Sequence, residues 1–252
     1  MLDSAHKYRK AGLTSERCLY QTLYYSTNRG RAMEDYQKAR DFWDKIFGQL
    51  DRPLPEKPST GVRALDEAII WLRSPENQVL DFGFGSGLLL LILAYGHPGK
   101  YHGIELSEEA CRLTRRLFKH YGILNALFEQ GSINGLRQIP GDSYDAVILS
   151  NVVDNLFPED GKSVIEETSR LLKPKGRCFF KVNDYVDNDK AEKLGFKQIQ
   201  EDFYLEPTGL YLWNLSIDEW SSLLQKHFKV VRSEDVFFEK AQQKNRLFLL
   251  ER

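Results

Sequence analysis

The stretch VLDFGFGSGLLLLILAYG, residues 79–96, decides the fold. It begins as a short apolar strand, continues through Gly83, Gly85 and Gly87, and ends in a run of leucines. Glycine at these positions lets the backbone leave a strand sharply and approach a ligand with no Cβ in the way. The helix that follows directs its free amides and its positive end to the same place. The stretch therefore predicts a strand, a turn and a helix that bind a nucleotide-like ligand with an anionic group.

Segments with strand-like and helix-like periodicity alternate after this stretch. Such alternation is typical of a doubly wound α/β fold. An irregular region is expected over residues 183–214, then a helix near 217–227 and two final strands over 228–238 and 245–252. Five apolar segments are predicted as strands buried on both faces of a parallel sheet: residues 79–82, 101–106, 126–130, 145–149 and 177–182.

The first 58 residues predict a helical extension. Apolar residues recur at helical spacing over residues 31–50, and the segment DRPLPEKPST that follows contains three prolines, which favour extended backbone. We therefore expect residues 1–58 to form an amino-terminal helical extension or cap and residues 59–252 to form the main domain. Residues 24–36 carry tyrosines and arginines that suit a lid over the ligand, and simple packing of a helix is the alternative.

The composition excludes several classes of protein. Hydrophobic residues at 42% and charged residues at 28% indicate a folded globular chain. The net charge of -1 does not favour binding to nucleic acid or to an anionic membrane through overall electrostatic attraction. Cys18, Cys111 and Cys178 lack the spacing of a zinc site or a disulfide framework, which favours a reducing cytoplasm. The longest apolar run, residues 88–94, is too short to span a bilayer, so no membrane insertion is expected.

Two carboxylates flank the glycine-rich turn. Asp81 stands two residues before Gly83, where it suits a cationic ammonium better than a pyrophosphate. Glu105 ends the second strand, where a carboxylate can accept hydrogen bonds from both hydroxyls of a ribose. The dinucleotide fingerprint GxGxxG is not met, because Leu88 occupies the position of the third small residue. A nicotinamide-dependent oxidoreductase is therefore disfavoured and stays open as an alternative.

Four segments together resemble the class I S-adenosylmethionine-dependent methyltransferases: DFGFGSG, the GIELS turn, SNVVDNL after the fourth strand and LLKPKG before the fifth. The resemblance covers roughly residues 59–252. It implies a mostly parallel seven-stranded sheet with an antiparallel last strand, a variable amino-terminal cap, and an enzyme that converts S-adenosylmethionine to S-adenosylhomocysteine. A non-catalytic member of this fold that binds a partner is a second alternative.

The resemblance also implies which residues bind the cofactor. In this family the glycine loop lies along the methionine part, the acidic residue after the second strand holds the ribose, and the loop after the fourth strand lies under the methyl group. Adenine contacts are expected from Ser132 and the backbone of Ile133, since serine replaces an acidic residue that many members have there. The expected cofactor-binding residues are Asp81, Phe82, Gly83, Gly85, Gly87, Glu105, Leu106, Ser132, Ile133 and Asn151.

The methyl acceptor is not determined by these patterns. The sequence after the fourth strand contains neither an NPPY-type run nor a cysteine that would attack a pyrimidine ring. Asp154, Tyr185 and Trp213 are expected to line a substrate pocket, although each also suits a turn or the core. A small molecule is favoured as the acceptor, and nucleic acid and protein stay open.

No metal ion is expected, and no catalytic residue is identified. Asp154, Asn183 and Asp184 follow the fourth and fifth strands, where some catechol-type O-methyltransferases place magnesium ligands. Asn and Asp are also the commonest turn formers, and magnesium demands near-octahedral geometry. Direct transfer from a sulfonium needs neither a metal nor a covalent intermediate, so the sequence predicts metal-independent methyl transfer to an O, N or C nucleophile.

Overall fold

The computed structural model describes residues 36–50, 56–239 and 242–252. Residues 36–41 belong to one compact unit and are helical; the described residues from Phe42 onward belong to a second unit, which begins with a helix over residues 42–48. Residues 24–35 of the stretch suggested as a lid, and part of the proline-rich connector, lie outside the described residues. The domain boundary near Ser59 stays a prediction.

The described strands form one large sheet and one small sheet. The large sheet has the order β3-β2-β1-β4-β5-β10-β9, and the small one the order β6-β7-β8. The strands, numbered along the chain, are β1 (Asn77–Phe82), β2 (Gly99–Glu105), β3 (Ala126–Gln130), β4 (Tyr144–Ser150), β5 (Leu172–Asn183), β6 (Lys197–Gln200), β7 (Phe203–Leu205), β8 (Tyr211–Trp213), β9 (Lys229–Phe238) and β10 (Gln243–Glu251).

The large sheet confirms the predicted fold class. Strands β1 to β5 pair in parallel, whereas β10 pairs antiparallel with both β5 and β9. The last strand along the chain is thus the antiparallel member of a seven-stranded sheet. The strand order reverses at β1, which has β2 on one side and β4 on the other, and ligands of open α/β sheets bind outside the carboxyl ends of strands at such a point.

Helices cover both faces of the large sheet. They are α1 (Arg63–Trp71), α2 (Leu88–Ala94), α3 (Glu108–His120), α4 (Ile133–Gln138), α5 (Pro158–Leu171), α6 (Asn188–Lys193) and α7 (Ile217–Leu224), with a short 3-10 helix at Val153–Asn155. Residues of α1, α2 and α3 share one apolar layer with Val79 of β1, and residues of α4, α5 and α7 share the other layer with Leu80. Neighbouring strand residues point to opposite faces, so the two layers alternate along β1. The leucine run lacks the polar face of a surface helix because five of the seven residues of α2 are buried.

Two expectations about the strands are corrected by the structure. The strand β3 is not buried on both faces: only Phe128 of its five residues is buried, and β3 lies at the edge of the described sheet. The region over residues 183–214 is not irregular, since it contains α6 and the three short strands of the small sheet. Strands of three or four residues are too short to show a recognisable period.

The helix α3 begins at a side-chain cap. The Ser107 side chain accepts a hydrogen bond from the Ala110 amide at 3.0 Å and caps the helix. Glu108 and Glu109 lie in the first turn, and both pair with Arg112 on the exposed surface. Within the described ranges, no helix has the length and apolar character needed to cross a membrane.

Candidate functional site

The glycine-rich loop connects β1 to α2 in a backbone conformation that favours glycine. Gly83, Gly85 and Gly87 have φ values of 71°, 53° and 69°, all in the left-handed region. A Cβ on Gly83 would lie 2.6 Å from a methyl carbon of Val152, which follows β4. The loop therefore packs closely against the segment after β4, and a larger residue at position 83 would displace it.

Asp81 lies beneath this loop as a buried carboxylate. Its side chain is 1% exposed, and its Oδ1 atom has no hydrogen-bond partner among the described residues. Burial raises the pKa of Asp81 well above its ordinary value, and the nearby charge of Glu105 raises it further. A buried carboxylate oxygen without a partner is costly. Asp81 is thus prepared to receive a cation or a hydrogen-bond donor from a ligand.

Glu105 connects the end of β2 to the glycine loop. Its Oε2 accepts a hydrogen bond from the Gly85 amide at 2.8 Å, and its Oε1 accepts one from the Ser107 amide at 3.0 Å. Burial raises the pKa of Glu105, and the amide hydrogen bonds oppose that shift. An ionised carboxylate has about four acceptor positions. Glu105 can therefore hold the loop and still accept hydrogen bonds from a ligand.

The helix over residues 42–48 adds contacts that the sequence did not predict. Asp44 accepts hydrogen bonds from the Ser107 hydroxyl at 2.6 Å and from the Glu109 amide at 3.2 Å. The Phe47 ring lies above the loop, where a Cβ on Gly85 would meet its Cζ at 3.2 Å. No local pattern links Asp44 to Ser107, which is 63 residues away. This helix thus contacts the residues that surround Glu105.

The segment after β3 lies beside Glu105. The Gly131 amide donates to the Glu105 carbonyl at 2.8 Å, which places Ser132 close to the end of β2. Ser132 occupies the N-cap position of α4 without a side-chain capping bond, and Ile133 is partly buried against the core. Phe82 is buried in the same core, whereas the Leu106 carbonyl accepts a hydrogen bond from Gln130. Adenine recognition by Ser132 and Ile133 stays a prediction.

Three asparagines link the ends of β4 and β5 with β10. Asn151 has a φ of 52°, and its amide donates to the Lys181 carbonyl at 2.7 Å. The Asn183 Oδ1 atom accepts hydrogen bonds from the side-chain amides of Asn151 at 2.9 Å and Asn245 at 3.1 Å. Asn151 thus keeps its left-handed conformation through bonds to β5. The sequence had indicated Asn151 as a cofactor residue and Asn183 as a candidate magnesium ligand, but it had not indicated Asn245.

Asp154 lies at this end of the sheet as a second buried carboxylate. It is 1% exposed; its Oδ2 accepts from the Asn183 amide at 2.8 Å, and its Oδ1 has no hydrogen-bond partner among the described residues. Burial raises the pKa of Asp154 to about 6, although the hydrogen bonds from Asn183 and the charge of Lys181 oppose the shift. Burial lowers the pKa of Lys181 to about 8, and Asp154 opposes that shift. Sequence reasoning missed Lys181, which lies within the apolar segment of β5.

Glu206 lies in the turn between β7 and β8, and its pKa is raised by burial and also by the charge of Asp154. Trp213 packs in the core, with its ring centroid 4.9 Å from that of Trp220. Tyr185 is 48% exposed. The three predicted pocket residues therefore differ in environment, since Asp154 and Trp213 are buried whereas Tyr185 is exposed. Glu206, whose pKa responds to the charge of Asp154, was not predicted from the sequence.

The candidate magnesium ligands do not converge in the described residues. Asp184 pairs with Lys244 at 3.2 Å, and Asn183 Oδ1 already accepts two hydrogen bonds. Among residues 36–50, 56–239 and 242–252, no group of three or more His, Cys, Asp or Glu side chains is placed to share a metal ion. Metal independence itself stays a prediction.

Comparisons with known proteins agree with this architecture. Residues 79–176 match a family model described as a methyltransferase domain. An arsenite methyltransferase of Aquipseudomonas alcaligenes is 36% identical over 125 residues, which cover 46% of this chain and 35% of that protein. A tRNA N(3)-methylcytidine methyltransferase of Schizosaccharomyces pombe is 21% identical over 220 residues, covering 84% and 71% of the two chains. This chain thus spans about a third of the arsenite methyltransferase.

A solved structure shares the fold of this chain. The 1,6-didemethyltoxoflavin-N1-methyltransferase of Burkholderia thailandensis, crystallised with 1,6-didemethyltoxoflavin and S-adenosylhomocysteine, superposes with a TM-score of 0.61 at 18% identity. The match covers 96% of this chain and 92% of that one. This likeness confirms the fold that the sequence motifs had indicated, and the family model matched by residues 79–176 is that of a methyltransferase domain.

Proposed function

We propose that this chain, which belongs to the class I S-adenosylmethionine-dependent methyltransferases, transfers the methyl group of that cofactor to a small-molecule nucleophile by direct displacement. The observation that carries the proposal is the buried Asp81 Oδ1 atom, which has no hydrogen-bond partner among the described residues and lies beneath the loop of three left-handed glycines. An unpartnered anionic oxygen suits the ammonium group of a methionine part. It would repel the pyrophosphate of a dinucleotide, so the nicotinamide alternative is not supported.

The residues around the loop fit the remaining parts of the cofactor. Glu105 has acceptor capacity for ribose hydroxyls after it binds the amides of Gly85 and Ser107. Ser132 and Ile133 follow Gly131, whose amide donates to the Glu105 carbonyl, and they are proposed to contact the adenine. Asn151 is proposed to lie below the methyl group, because it follows β4 at the point where the strand order reverses.

The chain has to align the reactants and exclude water. When bound, S-adenosylmethionine supplies a methyl carbon that its sulfonium already activates. Positioning of an acceptor in line with that carbon can contribute roughly 7 to 11 kcal/mol. Asn151 and Asn183 suit this role because their side chains are held by hydrogen bonds between strands, which limits their movement.

Two observations favour a small molecule over nucleic acid. Asp154 and Glu206 lie close enough for the charge of one to raise the pKa of the other, and such a pair would repel a phosphate backbone. The rings of Phe157 and Tyr211 lie 4.8 Å apart beside them and offer an apolar surface. The tRNA methyltransferase relative keeps nucleic acid as an outcome that the experiment must test.

Arsenite is not supported as the acceptor by the described cysteines. Thiolates are the form of cysteine that binds soft elements. Cys111 and Cys178 are buried free thiols, and burial raises the pKa of Cys111 to about 11 and that of Cys178 further still. Neither is a thiolate at neutral pH, and Cys18 lies outside the described residues. Because free thiols are typical of reducing compartments, we also propose a cytoplasmic location.

The cofactor assignment is tested by a thermal-shift series with S-adenosylmethionine, S-adenosylhomocysteine, NAD and NADP. A ligand at 100 times its dissociation constant stabilises the protein by roughly 2.7 kcal/mol. We expect a rise in Tm with the two sulfur compounds and none with the dinucleotides. Stabilisation by NAD alone would contradict the proposal.

Catalysis is tested with methyl-labelled S-adenosylmethionine and a cell extract separated into small molecules, RNA and protein. Label is expected in the small-molecule fraction. Label in RNA or protein would change the acceptor class. Cofactor binding without any transfer would favour the non-catalytic alternative.

A further inference from the structure

The acceptor end of the site, near Asp154, contains a carboxylate oxygen to which no described residue donates a hydrogen bond. Asp154 is held in place by the Asn183 amide through Oδ2, and Asn183 is itself fixed by Asn151 and Asn245. Oδ1 of Asp154 is buried and has no hydrogen-bond partner among the described residues. A rigid and buried acceptor of this kind is stabilised by a donor from a ligand.

A second carboxylate, Glu206, lies in a turn of the small sheet, which packs on the segment that carries Asp154. Strand β8 packs on the 3-10 helix that carries Asp154, and the Phe157 ring contacts Phe203 of β7 and Tyr211 of β8. Glu206 lies in the turn between these two strands, where its amide donates to the Leu210 carbonyl and its Oε2 accepts from Thr208 at 3.1 Å. The β7–β8 turn thus places Glu206 within electrostatic reach of Asp154.

The charges around Asp154 leave an excess of negative charge. Among the described residues, the charge of Lys181 acts on Asp154, and the charge of Asp154 acts in turn on Glu206, so two carboxylates accompany one ammonium group. An ammonium group supplies a positive charge and up to three donors, and a neutral hydroxyl supplies one donor and no charge. Charge-assisted hydrogen bonds are about twice as strong as neutral ones. Both features favour an amine at this position.

We propose that the methyl acceptor is an amine, and that Asp154 and Glu206 bind its nitrogen at the carboxyl ends of β4 and β5. This inference rests on the proposed methyl transfer. The bound ammonium gives one proton to Asp154; its nitrogen lone pair then forms the bond to the methyl carbon, and the electrons of the broken carbon–sulfur bond go to sulfur. The product is an N-methylammonium ion beside S-adenosylhomocysteine, and the proton on Asp154 leaves to solvent. The rings of Phe157 and Tyr211 would contact the apolar part of the amine.

The proposal is tested by calorimetry on protein saturated with S-adenosylhomocysteine. Two matched pairs serve as probes: benzylamine with benzyl alcohol, and 2-phenylethylamine with 2-phenylethanol. The wild type is expected to bind the amine of a pair at least roughly tenfold more tightly than the alcohol. Asp154→Asn and Glu206→Gln are expected to lose that preference. Glu201→Gln, which changes an exposed carboxylate at the start of the β6–β7 turn, is the matched control and should keep it.

The variants must retain their circular dichroism and their affinity for S-adenosylhomocysteine, which separates loss of the amine site from loss of the fold. Equal affinity for amine and alcohol in both pairs, or a preference that survives in Asp154→Asn, would overturn the inference. Failure of the proposed function appears separately, because wild-type protein would then not bind S-adenosylhomocysteine before any probe is added. In the transfer assay, labelled product should be retained on a cation exchanger at neutral pH and resist alkali. A neutral product would also overturn the inference.

Discussion

Replacement of Asp154 by Asn is expected to stabilise the ligand-free protein near pH 8. Burial raises the pKa of Asp154 from 3.8 to about 6, so the folded state holds this proton more tightly than the unfolded chain. The group therefore contributes stability that is fully present below about pH 4 and is lost as the pH rises through 6. The hydrogen bonds from Asn183 and the charge of Lys181 oppose the shift.

The size of the effect follows from the two pKa values. They differ by about 2 units, and each unit corresponds to about 1.36 kcal/mol, which gives about 3 kcal/mol. Asn replaces a charge-assisted bond from the Asn183 amide with a neutral one, and it removes the ionic partner of buried Lys181. Both changes lower stability, so the expected net gain is smaller, about 1 to 2 kcal/mol. For a protein of this size, that gain raises Tm by roughly 2 to 8 °C.

Urea unfolding of the wild type and Asp154→Asn at pH 8 and pH 4.5 measures this effect. The advantage of Asp154→Asn should shrink by about 2 kcal/mol between these pH values, because the wild-type carboxyl becomes protonated at the lower pH. Glu76→Gln, which changes an exposed carboxylate before β1, should show no such dependence. Equal differences at both pH values, or lower stability of Asp154→Asn at pH 8, would refute the argument that Asp154 carries a destabilised charge.

Further expectations concern the cofactor site. Glu105→Gln should weaken S-adenosylhomocysteine binding by roughly 10- to 100-fold in calorimetry, because a charged acceptor is lost; unchanged affinity would remove Glu105 from the site. Gly85→Val should abolish binding, since the residue has a φ of 53° and its Cβ would press on Phe47; normal binding by a folded variant would show that the loop does not contact the cofactor. Asp44→Ala should lower stability by about 1 kcal/mol through loss of its bonds to Ser107 and the Glu109 amide, and an unchanged Tm would contradict this. Treatment with EDTA should leave cofactor binding and methyl transfer unchanged, and activity that returned only with magnesium would indicate a metal site.

The central sheet and the glycine loop were predictable because their signals are local. β1 and α2 are marked by apolar runs on either side of glycines, and the strand-end position of Glu105 follows from the length of its own segment. The capping role of Ser107 was likewise visible from the residues next to it. Each of these features depends on residues that are close together in the sequence.

The acceptor end was less predictable because its contacts join distant segments. Asn183 meets Asn245 only because β10 inserts beside β5, and a local pattern does not specify that pairing. Glu206, whose pKa responds to the charge of Asp154, lies in a turn between two strands of three residues each. Strands of this length are too short to predict from periodicity. Lys181 lies among apolar residues of β5, so its charge looked incidental until the structure placed it near Asp154.

The capacity of Asp81 and Asp154 to bind a ligand and their cost to the stability of the fold have the same physical origin. Asp81 and Asp154 are each 1% exposed, each has one oxygen without a hydrogen-bond partner among the described residues, and they lie on or after neighbouring strands β1 and β4. Each buried anion opposes folding until a cation or a donor reaches it. Lys181 offsets part of this effect at Asp154, whereas the main influences on Asp81 are burial and the like charge of Glu105. Ligands with positive charge therefore recover free energy that folding has lost, and an amine bound next to S-adenosylhomocysteine should stabilise the wild type more than it stabilises Asp154→Asn.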